Sequence, residues 1–159
     1  MKPFIRSRSI ATLITWVHTG MRDTDLPIDR SHLKVAIAAM LDTLAVEHPL
    51  GHQNAYARRY ILTARSGKRI ELMFEQGPKT PANLWIESRI AGPLTTSGIK
   101  QRPSPASSLY TTPGKTGDPQ YGRHSALEKM PDLGKADLTC LQPETLAEAG
   151  EIIDRLLGV

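Results

Sequence analysis

Apolar residues recur at two different periods along this 159-residue chain, and the change of period divides it into helical and extended parts. Ile10, Leu13, Ile14 and Val17 share one face of a helix predicted over 9–18, with Ser9 as its cap and Gly20 as its stop. Leu26-Pro27 reads as a turn. Asp29 then caps a longer helix carrying Leu33, Ala36, Ile37, Met40, Leu41 and Leu44, ended by Pro49 and Gly51. Between Tyr56 and Glu75 the period falls to two, with Tyr60, Leu62 and Ala64 alternating in one run and Ile70, Leu72 and Phe74 in the next. These runs predict a β-hairpin. A three-residue loop, Ser66-Gly67-Lys68, sets Ala64 opposite Ile70, Leu62 opposite Leu72 and Tyr60 opposite Phe74, whereas a two-residue loop would mix apolar with polar positions. The other face then carries Arg59, Ile61, Thr63 and Arg65 beside Arg69, Glu71, Met73 and Glu75.

A third strand over 84–90 buries Leu84, Ile86, Ser88 and Ile90 and turns Trp85, Glu87 and Arg89 to that mixed face. From Gly92 to Gly122 the pattern disappears: of 31 residues, five are Gly, five Pro and nine Ser or Thr, the make-up of a binding or flexible loop. Ser125-Ala126-Leu127-Glu128 fits a capping box cut short by Pro131, and 136–141 reads as a fourth strand. Pro143 at a first helical position, Glu144 behind it, and Leu146, Ile152, Ile153, Leu156 and Leu157 make a closing amphipathic helix. The expected fold is α+β in a single domain, 1–159. It has two N-terminal helices, an antiparallel sheet of about four strands, a long Pro/Gly/Ser-rich loop over 92–122 and a C-terminal helix packed on the sheet.

Composition excludes collagen, a wholly disordered chain, a disulfide scaffold and a membrane channel: 40% of residues are hydrophobic, 23% are charged, and Cys140 is the single cysteine. Cys140 sits in an apolar run and reads as a small buried side chain. No cleavable leader and no apolar run of spanning length is visible, so the expectation is a cytoplasmic protein without a membrane partner.

The net charge of +4 is unevenly spread: residues 55–119 hold ten basic and four acidic groups, while 120–159 hold four and seven. Arg58, Arg59, Arg65, Lys68 and Arg69 fall within twelve residues, followed by Arg89, Lys100, Arg102 and Lys115. Cations at a hairpin tip can neutralise phosphates, and Trp85 on the same face can stack on a base. The expected role is therefore a small non-enzymatic accessory protein contacting nucleic acid through the basic hairpin and loop. The alternative is a protein-interaction subunit of a larger complex, in which an open sheet edge and the acidic last helix dock on a partner.

Other chemistry is weaker in the residues. Glu71, Glu75 and Glu87-Ser88-Arg89, with Glu47, loosely follow a metal-dependent nuclease, a distant third reading in which Arg stands where an amine that can lose its proton is wanted. His48 and His52 have helical i, i+4 spacing, but Pro49 and Gly51 lie within it, so no metal or other cofactor is expected. Thr112-Pro113-Gly114-Lys115-Thr116 ends like a phosphate loop but lacks the flanking strand and helix. Gly122-Arg123-His124-Ser125 is the densest packet of functional side chains. Arg123, His124 and Ser125 form a candidate anion or ligand site where the loop rejoins the fold.

Overall fold

The computed structural model describes residues 29–94, 97–110, 112–113 and 117–159. The helix expected over 9–18 lies outside them, as does Lys115.

Helix α1, Arg30–Leu44, turns Leu33, Ile37 and Leu41 inward at i, i+4, i+8. Asp29 is its N-cap, but the Asp29 carboxylate accepts the Ser31 hydroxyl rather than a backbone N–H. The helix stops five residues before Pro49. Ala45 turns extended (φ −127°, ψ 167°) and leads into the short strand β1, Val46–Glu47.

Strands β2, Ala57–Thr63, and β3, Arg69–Glu75, form the expected hairpin with the loop moved by one residue. The Ala64 N–H donates to Lys68 O at 2.8 Å and the Gly67 N–H to Ala64 O at 2.9 Å, so the three loop residues are Arg65-Ser66-Gly67. Gly67 has φ +88°, the left-handed conformation required of the last residue in a three-residue loop, and this places glycine third rather than second. Leu62 consequently faces Ile70 and Tyr60 faces Leu72, a shift of two positions. An even shift preserves which face each side chain takes.

Strand β4 covers Leu84–Glu87 only; Ser88–Ala91 turns helical as α2 instead of continuing to Ile90. The segment expected to be a loop contains β5, Lys100–Ser104, which pairs with the later strand Leu138–Gln142, and a two-residue ladder of β6, Thr112–Pro113, and β7, Pro119–Gln120. Strand β8, Leu138–Gln142, is followed by α3, Leu146–Leu157. Thr145, not Pro143, starts that helix: its Oγ1 accepts the Glu148 N–H at 3.1 Å. The main sheet thus has six antiparallel strands, in the order β1-β2-β3-β4-β8-β5, rather than about four. No helix among the described residues is long and apolar enough to cross a membrane.

Both faces of the sheet are covered. On one, Tyr60, Leu62, Leu72, Phe74 and Ile86 pack against α1 and against Ile152, Ile153 and Leu156 of α3. On the other, the face expected to be mixed and open, Ala57, Met73, Trp85, Leu138 and Cys140 lie beneath Ala126, Leu127, Met130 and Leu133. The segment 121–136 therefore acts as a strap over this second face, and its apolar residues remove Met73 and Trp85 from water.

Candidate functional site

The hairpin tip is anchored by the last turn of α3. The Arg65 N–H donates to Leu157 O at 2.8 Å, and Ser66 Oγ donates to Val159 O at 2.7 Å. Arg65 Nη2 lies 3.5 Å from Asp154 Oδ1, with the two side chains 64% and 53% exposed. At that distance and exposure the pair neutralises little. Lys68 and Arg69 are exposed and form no ion pair among the described residues. Arg65, Lys68 and Arg69 thus share one rigid end of the sheet.

The remaining cations selected from the sequence are held elsewhere. Arg58 lies on the helix side, its Nη1 3.0 Å from Asp42 Oδ2 and its Nε 2.7 Å from Gln76 Oε1. Arg59 reaches under the strap, donating from Nε to Ala126 O at 2.7 Å and from Nη1 to Gly51 O at 3.0 Å. Arg89 pairs with Glu87 at 2.7 Å and Lys100 with Glu144 at 2.8 Å; the Lys100 ammonium holds the Glu144 carboxyl below its usual range. The Arg102 guanidinium lies 5.2 Å from the centre of the Trp85 ring. Trp85 itself is only 3% exposed, between Met73 and Cys140, so its ring is not open to stack on a base. Burial also pushes the Cys140 thiol up to about 12, so it carries no thiolate at neutral pH.

The packet at 123–125 divides. Arg123 points inward, with Nη2 2.5 Å from Ser104 O and 2.7 Å from Ala136 O, stapling the strap to β5. His124 caps the single turn Ser125–Leu127, its Nδ1 accepting the Ala126 N–H at 3.1 Å; Ser125, expected as the cap, instead accepts Gln53 Nε2 on its Oγ at 3.1 Å. His124 and Ser125 line an open cleft of about 470 Å³ with Gln53, Asn54 and Tyr56, and Arg123 is not among its walls.

The carboxylates of the nuclease reading do not converge. Glu71 accepts His48 Nε2 at 2.8 Å and two strap amides, Glu75 accepts the buried Asn83 amide, and Glu87 holds Arg89. His48 and His52 both lie in backbone without regular secondary structure, and their Nδ1 atoms accept the N–H groups of Leu50 and Arg59, each at 3.1 Å. Among the described residues no group of three or more His, Cys, Asp or Glu side chains is placed to hold a metal ion.

Sequence reasoning missed the His48–Glu71 pair and the buried Lys34, which donates to Gly77 O and Thr80 O. Both join positions more than twenty residues apart through backbone or a single side chain, and no local pattern announces them. No family model, no curated protein and no solved structure matches the chain.

Proposed function

We propose that this is a small non-enzymatic accessory protein that contacts a nucleic-acid backbone through the tip of the β2–β3 hairpin. The observation that carries the reading is the anchored tip, where Arg65, Lys68 and Arg69 are exposed and meet a single long ion pair. Three phosphate contacts correspond to a log–log salt slope of about −2.7 on duplex DNA, a weak and sequence-independent grip that suits an accessory role. Trp85 is buried and offers this surface no stacking platform, so affinity in this reading rests on phosphate neutralisation.

Fluorescence anisotropy with a labelled duplex and a labelled single-stranded RNA, titrated from about 50 to 200 mM salt, tests this. The expected result is a slope near the value above that collapses in the triple variant Arg65→Ala, Lys68→Ala, Arg69→Ala. Salt-insensitive binding, no binding, or an unchanged slope in the variant rejects it.

A second reading, a protein-interaction subunit, is favoured by one observation. Strand β5 ends the sheet order, leaving an edge to which an extended peptide can add as a further strand. A stoichiometric protein co-purifying from native cells, and lost on mutation of β5 rather than of the hairpin tip, would select it.

A further inference from the structure

We propose that the cleft between residues 53–56 and the start of the strap binds an adenine ring. At about 470 Å³ it lies within the size range of small-molecule sites. Gln53, Asn54, Tyr56, His124 and Ser125 line it, so its walls bring together aromatic rings, carboxamides and a hydroxyl. No charged side chain among the described residues lines it, which suits a neutral heterocycle and gives an anion no counter-charge.

Both walls are fixed by the fold. The Tyr56 N–H donates to Gln53 O at 3.0 Å and the Gln76 N–H to Tyr56 O at 3.0 Å, which ties the 53–56 turn to the end of β3. Tyr56 is 61% exposed and rests against Gly77, where a Cβ would lie 3.4 Å from the tyrosine Cδ1. On the opposite wall His124 Nδ1 accepts the Ala126 N–H at 3.1 Å, which holds that ring, and Gln53 Nε2 donates to Ser125 Oγ at 3.1 Å, joining the two walls. An exposed tyrosine held in this way is a ready stacking face for a base, and little order remains to be imposed when the base arrives.

The carboxamides select the base. Asn54 is exposed at φ +36°, its backbone O accepts the Gln76 side-chain amide, and its own side chain has no hydrogen-bond partner among the described residues. A free carboxamide sets a donor beside an acceptor. Adenine answers with its N7 acceptor and N6 amino donor, whereas guanine and hypoxanthine show two acceptors on that edge and call for a cation. The cleft and the hairpin tip lie at opposite ends of β2, about 20 Å apart, a length that about six stacked nucleotides cover. Only the delivery of the adenine by a strand, rather than by a free nucleotide, rests on the phosphate contact proposed above.

An NMR titration of the full-length chain with adenosine and with inosine tests the site without any phosphate. Adenosine is expected to shift the amides of Asn54, Tyr56 and Ser125 with a Kd about tenfold below that of inosine. Tyr56→Ala is expected to weaken adenosine about tenfold, while Tyr56→Phe leaves it unchanged. Asn54→Gly, which keeps the positive φ, is expected to bring the two nucleosides together. No saturable shift, equal affinities in the native chain, or undiminished binding in Tyr56→Ala overturns the proposal. Fluorescence anisotropy with labelled hexauridylates, with and without one adenine at either end, then separates the sources. A preference of about tenfold for the adenine, lost in Tyr56→Ala, places the ring in a strand; adenosine binding without that preference assigns the cleft to a free adenine nucleotide. A failed phosphate contact at the tip leaves the adenosine titration untouched, so the two failures are read apart.

Discussion

Glu71 accepts the His48 Nε2 proton at 2.8 Å with both side chains buried, and the same carboxylate takes the Asp132 N–H at 2.9 Å and the Leu133 N–H at 3.2 Å. One side chain of β3 therefore fastens both the chain leaving β1 and the strap across the second face. His48 is held as the Nε2–H tautomer, because its Nδ1 accepts the Leu50 N–H.

Three donors converge on Glu71, so Glu71→Gln turns an amide NH2 toward a group that is itself a donor. The expected loss is about 1–3 kcal/mol, the cost of a buried donor left unpaired. Urea unfolding of the variant measures it, and an unchanged midpoint would show that the carboxylate does not hold the strap.

Gly134 has no room for a side chain. A Cβ there would lie 2.7 Å from Glu128 O and 2.8 Å from Met130 O, both backbone atoms that cannot step aside without opening the strap. Gly134→Ala is expected to cost about 1–3 kcal/mol as overpacking. Gly92 meets nothing within 4 Å beyond its chain neighbours, but its helical backbone precedes Pro93, whose ring crowds a Cβ there, so Gly92→Ala is expected to cost less than Gly134→Ala without stabilising the fold. Thermal midpoints of the two variants moving together would contradict the packing argument.

Arg123 donates through a planar fork to carbonyls of β5 and of the segment before β8, a geometry that a lysine ammonium cannot reproduce. Arg123→Lys should free the strap from β5 and accelerate tryptic or chymotryptic cleavage within 105–122 by several-fold at native pH. Cleavage rates equal to those of the unmodified chain would show that the staple is dispensable.

Burial pushes the Cys140 thiol from 9.0 up to about 12, and burial also pushes the Tyr60 phenol from 10.0 up to about 12, reinforced by its hydrogen bond to Asp42. Both protons leave the unfolded chain first, so above pH 9 the unfolded state binds fewer protons and stability falls as pH rises toward 12; below pH 9 neither group contributes a slope. Thermal midpoints should accordingly decline between pH 9 and 11, and less so in Cys140→Ala. A thiol reagent at pH 8 should label Cys140 only in denaturant, and rapid labelling of the native chain would refute its burial.

The local periods by themselves determined the inward faces of α1, β2, β3 and α3, because a helix or strand repeats its side-chain direction every few residues whatever lies around it. Parity made this robust: the hairpin loop sits one residue from its expected place, yet Tyr60, Leu62, Ile70, Leu72 and Phe74 keep their faces. The long reach of the chain decided the rest. Lys100–Ser104 has no apolar alternation and is a strand because its backbone pairs with β8, a pairing that draws on the N–H and C=O groups that every residue except proline carries, whatever its side chain. Arg59, Arg123 and Trp85 read as surface chemistry until Ala126, Leu127, Met130 and Leu133 cross above the sheet and turn two cations toward carbonyls and an aromatic ring into core. A polar side chain's role follows from which distant backbone comes to meet it, and only the tertiary path supplies that backbone.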